Sequence, residues 1–304
     1  MKTSTPSYSL GKEAGPALWA TMDAPVRQPV QPLANEDRQE LLEFLAVRPV
    51  HTVIMAGKIR DNGVVSPLNR GTFYAYRNAV GILEGVALIG HASLIEARSP
   101  AAVQALARCA QTFSGIHLVV IQQDQFDLFW GSYAGGGQPL RLLSSELLFE
   151  LRWPAGVLEA VPGLRLATLD DLDLTLSVQS EMAYEQCYVN PLQKDPQGFR
   201  ERLARRIEQE RIYVWVEDGK LLFKADIMAD TPEVIYLEGV WVNPQERGRG
   251  IGARCVSQMS RTLLTRAPGV CGLTNQNNKV AQNLYRKVGY KLRSRYTLAY
   301  LAQR

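Results

Sequence analysis

The sequence has few of the features that mark several protein classes. Its 304 residues include only four cysteines, Cys109, Cys187, Cys255 and Cys271, and no two of them have the spacing of a metal site or a redox pair. We therefore expect buried thiols in a reducing compartment and no metal site. No stretch approaches the roughly 20 apolar residues of a membrane-spanning helix, and no apolar run follows a basic start as in a secretory signal. These absences predict a cytoplasmic protein without a membrane partner.

A strong excess of one charge is also missing. Lys and Arg number 34 against 30 Asp and Glu, which gives a formal net charge of +4. A surface that follows a nucleic-acid backbone usually carries a strong local basic excess, so we expect no nucleic-acid partner. The balance suits a small anionic ligand equally well. The composition, 46% hydrophobic and 21% charged, is typical of a globular protein, and the length fits two average domains or one large one.

The first 35 residues are rich in proline and poor in apolar runs. Their prolines are Pro6, Pro16, Pro25, Pro29 and Pro32. Such a segment cannot bury enough apolar surface to offset the entropy of ordering. We therefore interpret residues 1–35 as a flexible tail.

The second half of the chain has the clearer pattern of helices and strands. Asp170 is a candidate cap for the first helix, and the arginines of the second either guide an acidic substrate or form a solvated face. The predicted elements are a strand at 164–168, helices at 169–187 and 197–211, strands at 212–217, 220–228 and 234–242, a helix at 251–264, a strand at 270–274, a helix at 278–289 and a strand at 290–301.

The first half repeats this order in a shorter form. Its predicted elements are a helix at 36–46, strands at 51–57, 72–77 and 80–90, a helix at 99–110, a strand at 117–122, a helix at 124–133 and a strand at 140–151. Two copies of one α+β module are therefore expected, each a mixed, mostly antiparallel sheet flanked by helices. Pro154 to Gly156 is the predicted joint between domains at 36–155 and 156–304.

The most specific motif is the glycine-rich loop 244-PQERGRGIGARC-255. Between a strand and a helix, such a loop aims backbone N–H groups at one point, where the helix N-terminus favours an anion. An NTPase loop would need Lys-Ser or Lys-Thr after its last glycine, but Ala253-Arg254 follows here. A dinucleotide fold would need a different glycine spacing within a parallel unit. A pyrophosphate held outside a parallel sheet is the remaining interpretation.

This half of the chain resembles the GNAT N-acetyltransferase superfamily. The run Arg247-x-x-Gly250-x-Gly252 is similar to the family's acyl-coenzyme A pyrophosphate loop. The preceding 240-VWVNP-244 is similar to its fourth strand, and 278-NKVAQNLYRKVGY-290 to its downstream helix. Together these matches cover about residues 160–302. The first half, which lacks the loop after 80–90, resembles a degenerate GNAT-like domain of the bacterial tandem type.

The resemblance implies an acetyl-CoA site and the residues that form it. The pyrophosphate would rest on the backbone of the loop, and the pantetheine arm would lie along the fourth strand as an added strand. Asn278 falls on the family's cofactor-contacting asparagine, and it could also cap its own helix. The implied cofactor-binding residues are Val240, Trp241, Val242, Arg247, Gly248, Arg249, Gly250, Ile251, Gly252, Ala253, Asn278 and Ala281.

Two residues are candidates for the chemistry. Tyr285 falls on the family's tyrosine, the usual acid for the coenzyme A thiolate, although it also fits the apolar face of its helix. Glu238 lies within an apolar strand, where a charge is costly unless it is paired or used. We expect it on the same sheet face as Val240 and Val242, either as the general base or as the cross-strand partner of Lys224.

The sequence therefore predicts an acyl-CoA-dependent N-acetyltransferase that acts through a ternary complex. The acceptor would be a primary amine on a small molecule, a peptide or a protein lysine, walled by the helix and loop that hold Glu185 and Asn190. The alternative is a non-catalytic acyl-CoA-binding module with a sensory role. A homodimer is left open. The three histidines, His51, His91 and His117, are expected to be structural.

Overall fold

The computed structural model describes residue 1 and residues 29–153 and 157–302. Most of the predicted tail, at 2–28, and the predicted joint at 154–156 lie outside the described residues. The end of the predicted tail is not a tail: strand β1 (Val30–Pro32) pairs with the next strand of the sheet, and a 3-10 turn follows at Asn35–Asp37.

The first half contains four helices and six strands among the described residues. After β1 come α1 (Arg38–Ala46), α2 (Pro49–Asn62), β2 (Gly71–Arg77), β3 (Leu83–Gly90), β4 (Ala92–Ala97), α3 (Pro100–Gln111), β5 (Leu118–Gln122), α4 (Gln123–Tyr133) and β6 (Leu140–Leu151). Except for α2 and β4, these elements lie where the sequence predicts them.

The second half follows the predicted order closely. Its elements are β7 (Leu164–Leu166), α5 (Leu172–Cys187), the short α6 (Pro191–Lys194), α7 (Pro196–Glu208), β8 (Ile212–Glu217), β9 (Lys220–Asp230), β10 (Ile235–Val242), α8 (Ile251–Leu263), β11 (Val270–Asn275), α9 (Lys279–Val288) and β12 (Lys291–Leu301).

The strands form one sheet of twelve, in the order β1-β2-β3-β4-β5-β12-β6-β11-β10-β9-β8-β7. All neighbouring strands are antiparallel except the pairs β4–β5 and β10–β11. The two halves exchange their last strands: β6 pairs with β11, and β12 pairs with β5. The predicted α+β class and mostly antiparallel sheet are confirmed, but the strands of the two halves are joined edge to edge in a continuous sheet.

The predicted strand at 51–57 is wrong, because these residues lie inside helix α2. Pro49 occupies the first turn, where its missing N–H costs nothing, and Gly63 ends the helix at φ 80°. The buried residues spread over a wide arc of the helix and include the polar Thr52 and the small Gly57, so the apolar residues alone show little helical period. Gly57 explains part of this burial, since a Cβ there would lie 2.7 Å from the Cβ of Ala229 on β9.

The cap predicted at Asp170 is also assigned to the wrong residue. Asp171 receives a hydrogen bond from the backbone N–H of Thr168 at 2.8 Å, and it forms an ion pair with Arg165 at 2.7 Å. The carboxylate one residue further along therefore closes the turn before α5, because it faces both of these donors.

Helix α2 and helices α8 and α9 lie on opposite faces of the sheet in the second half. Ile235 and Leu237 belong to the cluster that includes Val256 of α8 and Val288 of α9. Tyr236 points the other way, into a cluster with Val53 of α2 and strand residues of both halves. The first half therefore covers part of one face of the second half's sheet. None of the described helices is long and apolar enough to cross a bilayer.

Candidate functional site

A groove of about 1620 Å³ lies between the two halves. Its lining includes β10, the glycine loop and α9 on one side, and α2 and β6 of the first half on the other. Strands β10 and β11 pair only at Ile235–Val270 and Tyr236–Cys271, although both continue for several residues. Their separation beyond these pairs opens the sheet toward the groove.

A bulge at Gly239 sets the direction of the side chains on β10. Glu238 lies opposite Asp226, whereas Trp241 lies opposite Lys224, so β10 contains one extra residue between these pairs. Gly239 has φ 62°, and a Cβ there would lie 3.1 Å from Oδ2 of Asp226. A glycine is required at this point for both reasons.

The bulge corrects the predicted face of Glu238. Val240 and Val242 pack against the cluster under α8, but Trp241 packs against the cluster formed with α5 and α7. Because of the extra residue, Glu238 shares a face with Trp241 and not with the two valines. Strict alternation along the strand fails here because it assumes an unbroken ladder.

The three glycines of the loop serve different purposes. Gly248 and Gly250 have φ values of 81° and 78°, which a residue with a side chain adopts only with strain. Gly252 is instead a close contact: a Cβ there would lie 2.7 Å from Cδ1 of Leu284 on α9. The loop begins at Asn243, whose Oδ1 accepts a hydrogen bond from the N–H of Gln245 at 3.1 Å.

The start of α8 presents unpaired donors to the groove. The first hydrogen bond of the helix runs from the N–H of Arg254 to the carbonyl of Gly250 at 3.1 Å. Among the described residues, the N–H groups of 249–253 have no acceptor. Arg247 donates from Nε to the carbonyl of Val242 at 3.2 Å, and Arg249 pairs with Glu246 at 2.7 Å. This set of donors fits the pyrophosphate predicted for the loop.

Helix α9 brings Asn278, Ala281 and Tyr285 to the same groove. Oδ1 of Asn278 accepts a hydrogen bond from the N–H of Ala281 at 3.0 Å, so this residue caps its own helix. The ring of Tyr285 is 4% exposed and stacks on Phe149 at 5.7 Å between centroids. Burial, with a smaller contribution from Cys271, raises the pKa of the Tyr285 hydroxyl, which therefore keeps its proton at neutral pH.

The predicted pairing of Glu238 with Lys224 is wrong. Lys224 is fully buried and donates from Nζ to Asp226 at 2.6 Å and to Gln179 at 2.6 Å. Glu238 instead accepts at Oε1 from Arg206 of α7 at 3.0 Å. A pairing of Glu238 with Lys224 needs the turn between β9 and β10 to be centred on Thr231. The turn runs from Thr231 to Val234, and the register of β10 is displaced accordingly.

Several features of the groove were not predicted from the sequence. Arg206 is one of the arginines predicted either to guide an acidic substrate or to form a solvated face, but its pairing with Glu238 was not predicted. Tyr236 was not predicted; its hydroxyl accepts from the N–H of Leu273 across the opening between β10 and β11 at 3.3 Å. Glu146 of β6 is buried beside the groove, where desolvation raises its pKa, and it accepts from Ser144 at 2.7 Å. An acidic residue next to an apolar run was the available signal for Glu146, since Leu147, Leu148 and Phe149 follow it.

The remaining predicted residues have mixed positions. Met182 and Glu185 line the groove, whereas Oδ1 of Asn190 accepts from Ser180 at 3.0 Å and from the N–H of Leu192 at 2.9 Å. Such bonds fit a structural role for Asn190, with Glu185 left facing the groove.

The histidines lie in the first half. Nδ1 of His51 is 2.9 Å from the hydroxyl of Tyr296, and the rings of His91 and His117 stack with centroids 5.1 Å apart. Burial lowers the pKa of His51 to about 4 and that of His91 to about 4. Both imidazoles are therefore neutral at pH 7. Among the described residues, no three His, Cys, Asp or Glu side chains form a group that could hold a metal ion.

Three comparisons with known proteins bear on this geometry. Residues 178–290 match the model of the acetyltransferase (GNAT) family. No curated protein matches the chain. Many solved structures share the fold, and the three described next are 12% to 14% identical to this chain.

Three of these structures cover most of this chain. A Drosophila protein has a TM-score of 0.67 and 14% identity, and the alignment covers 91% of this chain and 99% of that one. A GNAT-family acetyltransferase from Colwellia psychrerythraea has a TM-score of 0.54 and 12% identity, and the alignment covers 90% of this chain and 99% of that one. A tandem GNAT protein from the clavulanic acid biosynthesis pathway has a TM-score of 0.54 and 14% identity, and the alignment covers 89% of this chain and 97% of that one. This chain therefore carries a GNAT-family acetyltransferase domain at residues 178–290, within an α+β fold that it shares with GNAT proteins, including a tandem one.

Proposed function

We propose that the protein is an N-acetyltransferase that transfers an acetyl group from acetyl-CoA to a primary amine while both are bound. The observation that carries this proposal is one groove that joins three features: the unpaired N–H groups of 249–253, the open edge of β10, and the hydroxyl of Tyr285. Bound acetyl-CoA would supply an activated acetyl thioester at the opening between β10 and β11.

The donor half of the site is assigned by charge and shape. The backbone of Arg249 to Ala253, with Arg247 beside it, would hold the pyrophosphate at the positive end of α8. Val240, Trp241 and Val242 would bind the pantetheine arm, because their edge of β10 has no ladder with β11 among the described residues. Gly252 keeps α9 close enough for Asn278 and Ala281 to border the same channel.

The transfer needs a proton to leave the amine and a proton to reach the departing thiolate. Tyr285 would donate the second proton, since its hydroxyl is protonated at neutral pH and has no hydrogen-bond partner among the described residues. Glu238 would accept the first, directly or through a water. Its Oε1 is bound to Arg206, but its Oε2 has no partner in the described part of the chain, and the side chain is 32% exposed.

Calorimetry with acetyl-CoA tests the donor site. We expect saturable binding at one site per chain, followed by release of free coenzyme A thiol when a suitable primary amine is added. Mass spectrometry should show the acceptor heavier by one acetyl group. Binding at two sites, or no binding, would contradict the proposal.

The ion pair of Glu238 with Arg206 also favours the alternative, a module that binds acyl-CoA without turnover. A carboxylate already engaged by a guanidinium is a less available base. The two functions are separated by a panel of amines presented to the acetyl-CoA-bound protein. Binding of acetyl-CoA without thiol release on any amine of that panel would support the module.

A further inference from the structure

Three cations form the wall of the groove contributed mainly by the first half. Lys58 lies on α2, Arg70 follows the 3-10 turn at Pro67–Asn69, and Arg205 lies on the facing helix α7. All three line the groove that contains Glu238. We refer to Lys58, Arg70 and Arg205 as the cationic wall.

The cationic wall lacks direct acidic partners in the described part of the chain, although Asp61 acts on the charge of Lys58 and Asp195 on that of Arg70 from a greater distance. Within the described chain, none of the three forms an ion pair with a carboxylate. Lys58 donates only to the carbonyl of Asn69 at 3.3 Å, and Arg205 only to Oδ1 of Asn62 at 3.2 Å. The guanidinium of Arg70 has no hydrogen-bond partner among the described residues.

Neighbouring arginines on the same surface are different, because each has an acidic partner. Arg202 pairs with Asp195 at 2.9 Å, Arg206 with Glu238 at 3.0 Å, and Arg211 with Asp61 at 2.6 Å. The lack of acidic partners therefore distinguishes the cationic wall from these three arginines.

The cationic wall is held in place by a buried amide network. Asn69 is 2% exposed, and its Nδ2 donates to the carbonyls of Gly63 and Val64 at 2.9 and 3.2 Å. Its Oδ1 accepts from Asn62 at 3.0 Å. Since Asn62 also binds Arg205, the network joins α2, the loop before Arg70 and α7 into one unit. A preorganised set of donors loses little entropy when it binds an anion.

The cations are also close enough to repel one another. Burial first, and then Arg206 and Arg70, lower the pKa of Lys58, while Glu238 raises it. Burial and then Arg202 lower the pKa of Arg70. Like charges gathered in a partly buried groove are unfavourable until an anion joins them. Glu238 therefore lies close enough to Lys58 for their charges to interact.

We propose that the cationic wall binds an anionic group of the acceptor, so that the substrate is a small amine with a carboxylate or phosphate at the end remote from its amine. This inference rests on the proposed acetyl transfer for the role of the amine. It goes beyond that transfer by assigning the acceptor class and by giving the first half a part in substrate recognition.

The first experiment tests the anion site without acetyl transfer. Inorganic phosphate should raise the melting temperature of the wild-type protein and of the control Lys220→Met, which removes an exposed lysine at the β8–β9 turn. The shift should be smaller in the double variant Lys58→Met/Arg70→Gln, which retains the open N–H groups of 249–253. Circular dichroism and the melting temperature without phosphate confirm that each variant is folded. Equal shifts in all three proteins, or no shift in the wild type, would overturn the proposal.

The second experiment measures acetylation of matched amines. Phosphoethanolamine and β-alanine carry the two anions, and ethanolamine and propylamine are neutral controls. Each single change, Lys58→Met or Arg70→Gln, should raise KM for an anionic amine by about tenfold or more, the loss of a charge-assisted hydrogen bond. The values of kcat and the dissociation constant of acetyl-CoA should stay within about twofold, and Arg70→Lys should recover part of the loss.

The outcomes separate the two proposals. Failure of wild-type protein to bind acetyl-CoA would reject the transferase proposal, while the phosphate shift would still decide the anion site. If the neutral amines are acetylated as efficiently as the anionic ones, the acceptor-anion site is rejected although the transferase stands. The same holds if KM for the neutral amines rises as much in the variants as KM for the anionic ones. The ratio of phosphoethanolamine to β-alanine efficiency identifies which anion the site prefers.

Discussion

The starts of helices α3 and α8 occupy equivalent places in the two halves but have different chemistry. Each follows a strand that runs parallel to the next strand, β4 before α3 and β10 before α8. Only residues 98–99 separate β4 from α3, whereas residues 243–250 separate β10 from α8. Pro100 has no N–H, and Ser99 caps the N–H of Ala102 at 3.3 Å. At α3, therefore, one of the N–H donors that are open at α8 is missing, and another is bound by the cap.

The strands that lead to these helices differ in the same way. The register between β3 and β4 is unbroken from Gly85–Ala97 to Leu88–Leu94. The register between β9 and β10 is interrupted at Gly239. A shared topology therefore fixes the position of an anion site at a helix start, but loop length, cap chemistry and a bulge decide whether the site can form.

The largest effect is expected from Gly250→Glu. The change places a side chain at φ 78° and a negative charge among the open N–H groups of 249–253. We expect the affinity for acetyl-CoA to fall by about 100-fold or more, as judged by calorimetry, because like charges repel and the cradle is strained. The control is Gly115→Glu in the first half, where a Cβ meets no atom within 4 Å. Unchanged binding by Gly250→Glu would remove the functional distinction between the two helix starts.

A smaller effect is expected from Tyr285→Phe. Loss of the proton donor should lower kcat by about 10- to 100-fold and leave the dissociation constant of acetyl-CoA unchanged. The matched control is Tyr290→Phe, which removes a hydroxyl 2.7 Å from Ser260 on the same side of the sheet. That change should cost about 1 kcal/mol of stability and leave kcat within about threefold. Equal kinetic losses in both variants would assign Tyr285 to packing.

Ser99→Ala tests the other helix start. Removing the cap of α3 should lower the free energy of unfolding by about 1 kcal/mol, measured by urea denaturation. Acetyl-CoA binding should not change, since the site is assigned to α8. Weaker acetyl-CoA binding in this variant, at temperatures where it is fully folded, would show that the first half takes part in holding the cofactor.

The smallest effect is a pH dependence that belongs to the first half, which contains all three histidines of the sequence. The pKa of His91 is lowered from 6.5 to about 4, first by burial and then by Arg70 and His117. Between these values the unfolded chain binds more protons than the folded one, so stability falls as the pH is lowered through this window. The variant His91→Gln should take up about one proton fewer on unfolding in this window. Its melting temperature should therefore fall less than that of the wild type between pH 7 and 4.5. An unaltered slope would contradict the assignment.

The sequence was sufficient for the features that depend on neighbouring residues. The glycine loop, the cap at Asn278 and the order of elements in the second half follow from local conformational preferences. For this reason the helix and strand predictions around Gly250 and Tyr285 agree with the structure within a few residues. The residues proposed to bind acetyl-CoA, except Arg249, line one groove because they lie on β10, on the loop and helix that follow it, and at the start of α9.

Other features depended on contacts between residues far apart in the chain. Helix α2 was mistaken for a strand because its buried face includes Thr52 and Gly57, which packs against Ala229, so its apolar residues show little helical period. The exchange of β6 and β12 depends on pairing across the two halves, which alternation of apolar residues cannot specify.

The sequence by itself therefore determined which segment is proposed to hold an acyl-CoA pyrophosphate, because that candidate site is built from one short segment. Only the tertiary structure decided the partners of Glu238, since a bulge and a displaced turn replaced Lys224 by Arg206. It also decided that Lys58 and Arg70 of the first half face the groove of the second. These placements depend on packing between halves separated by well over a hundred residues, and local preferences carry no information about it.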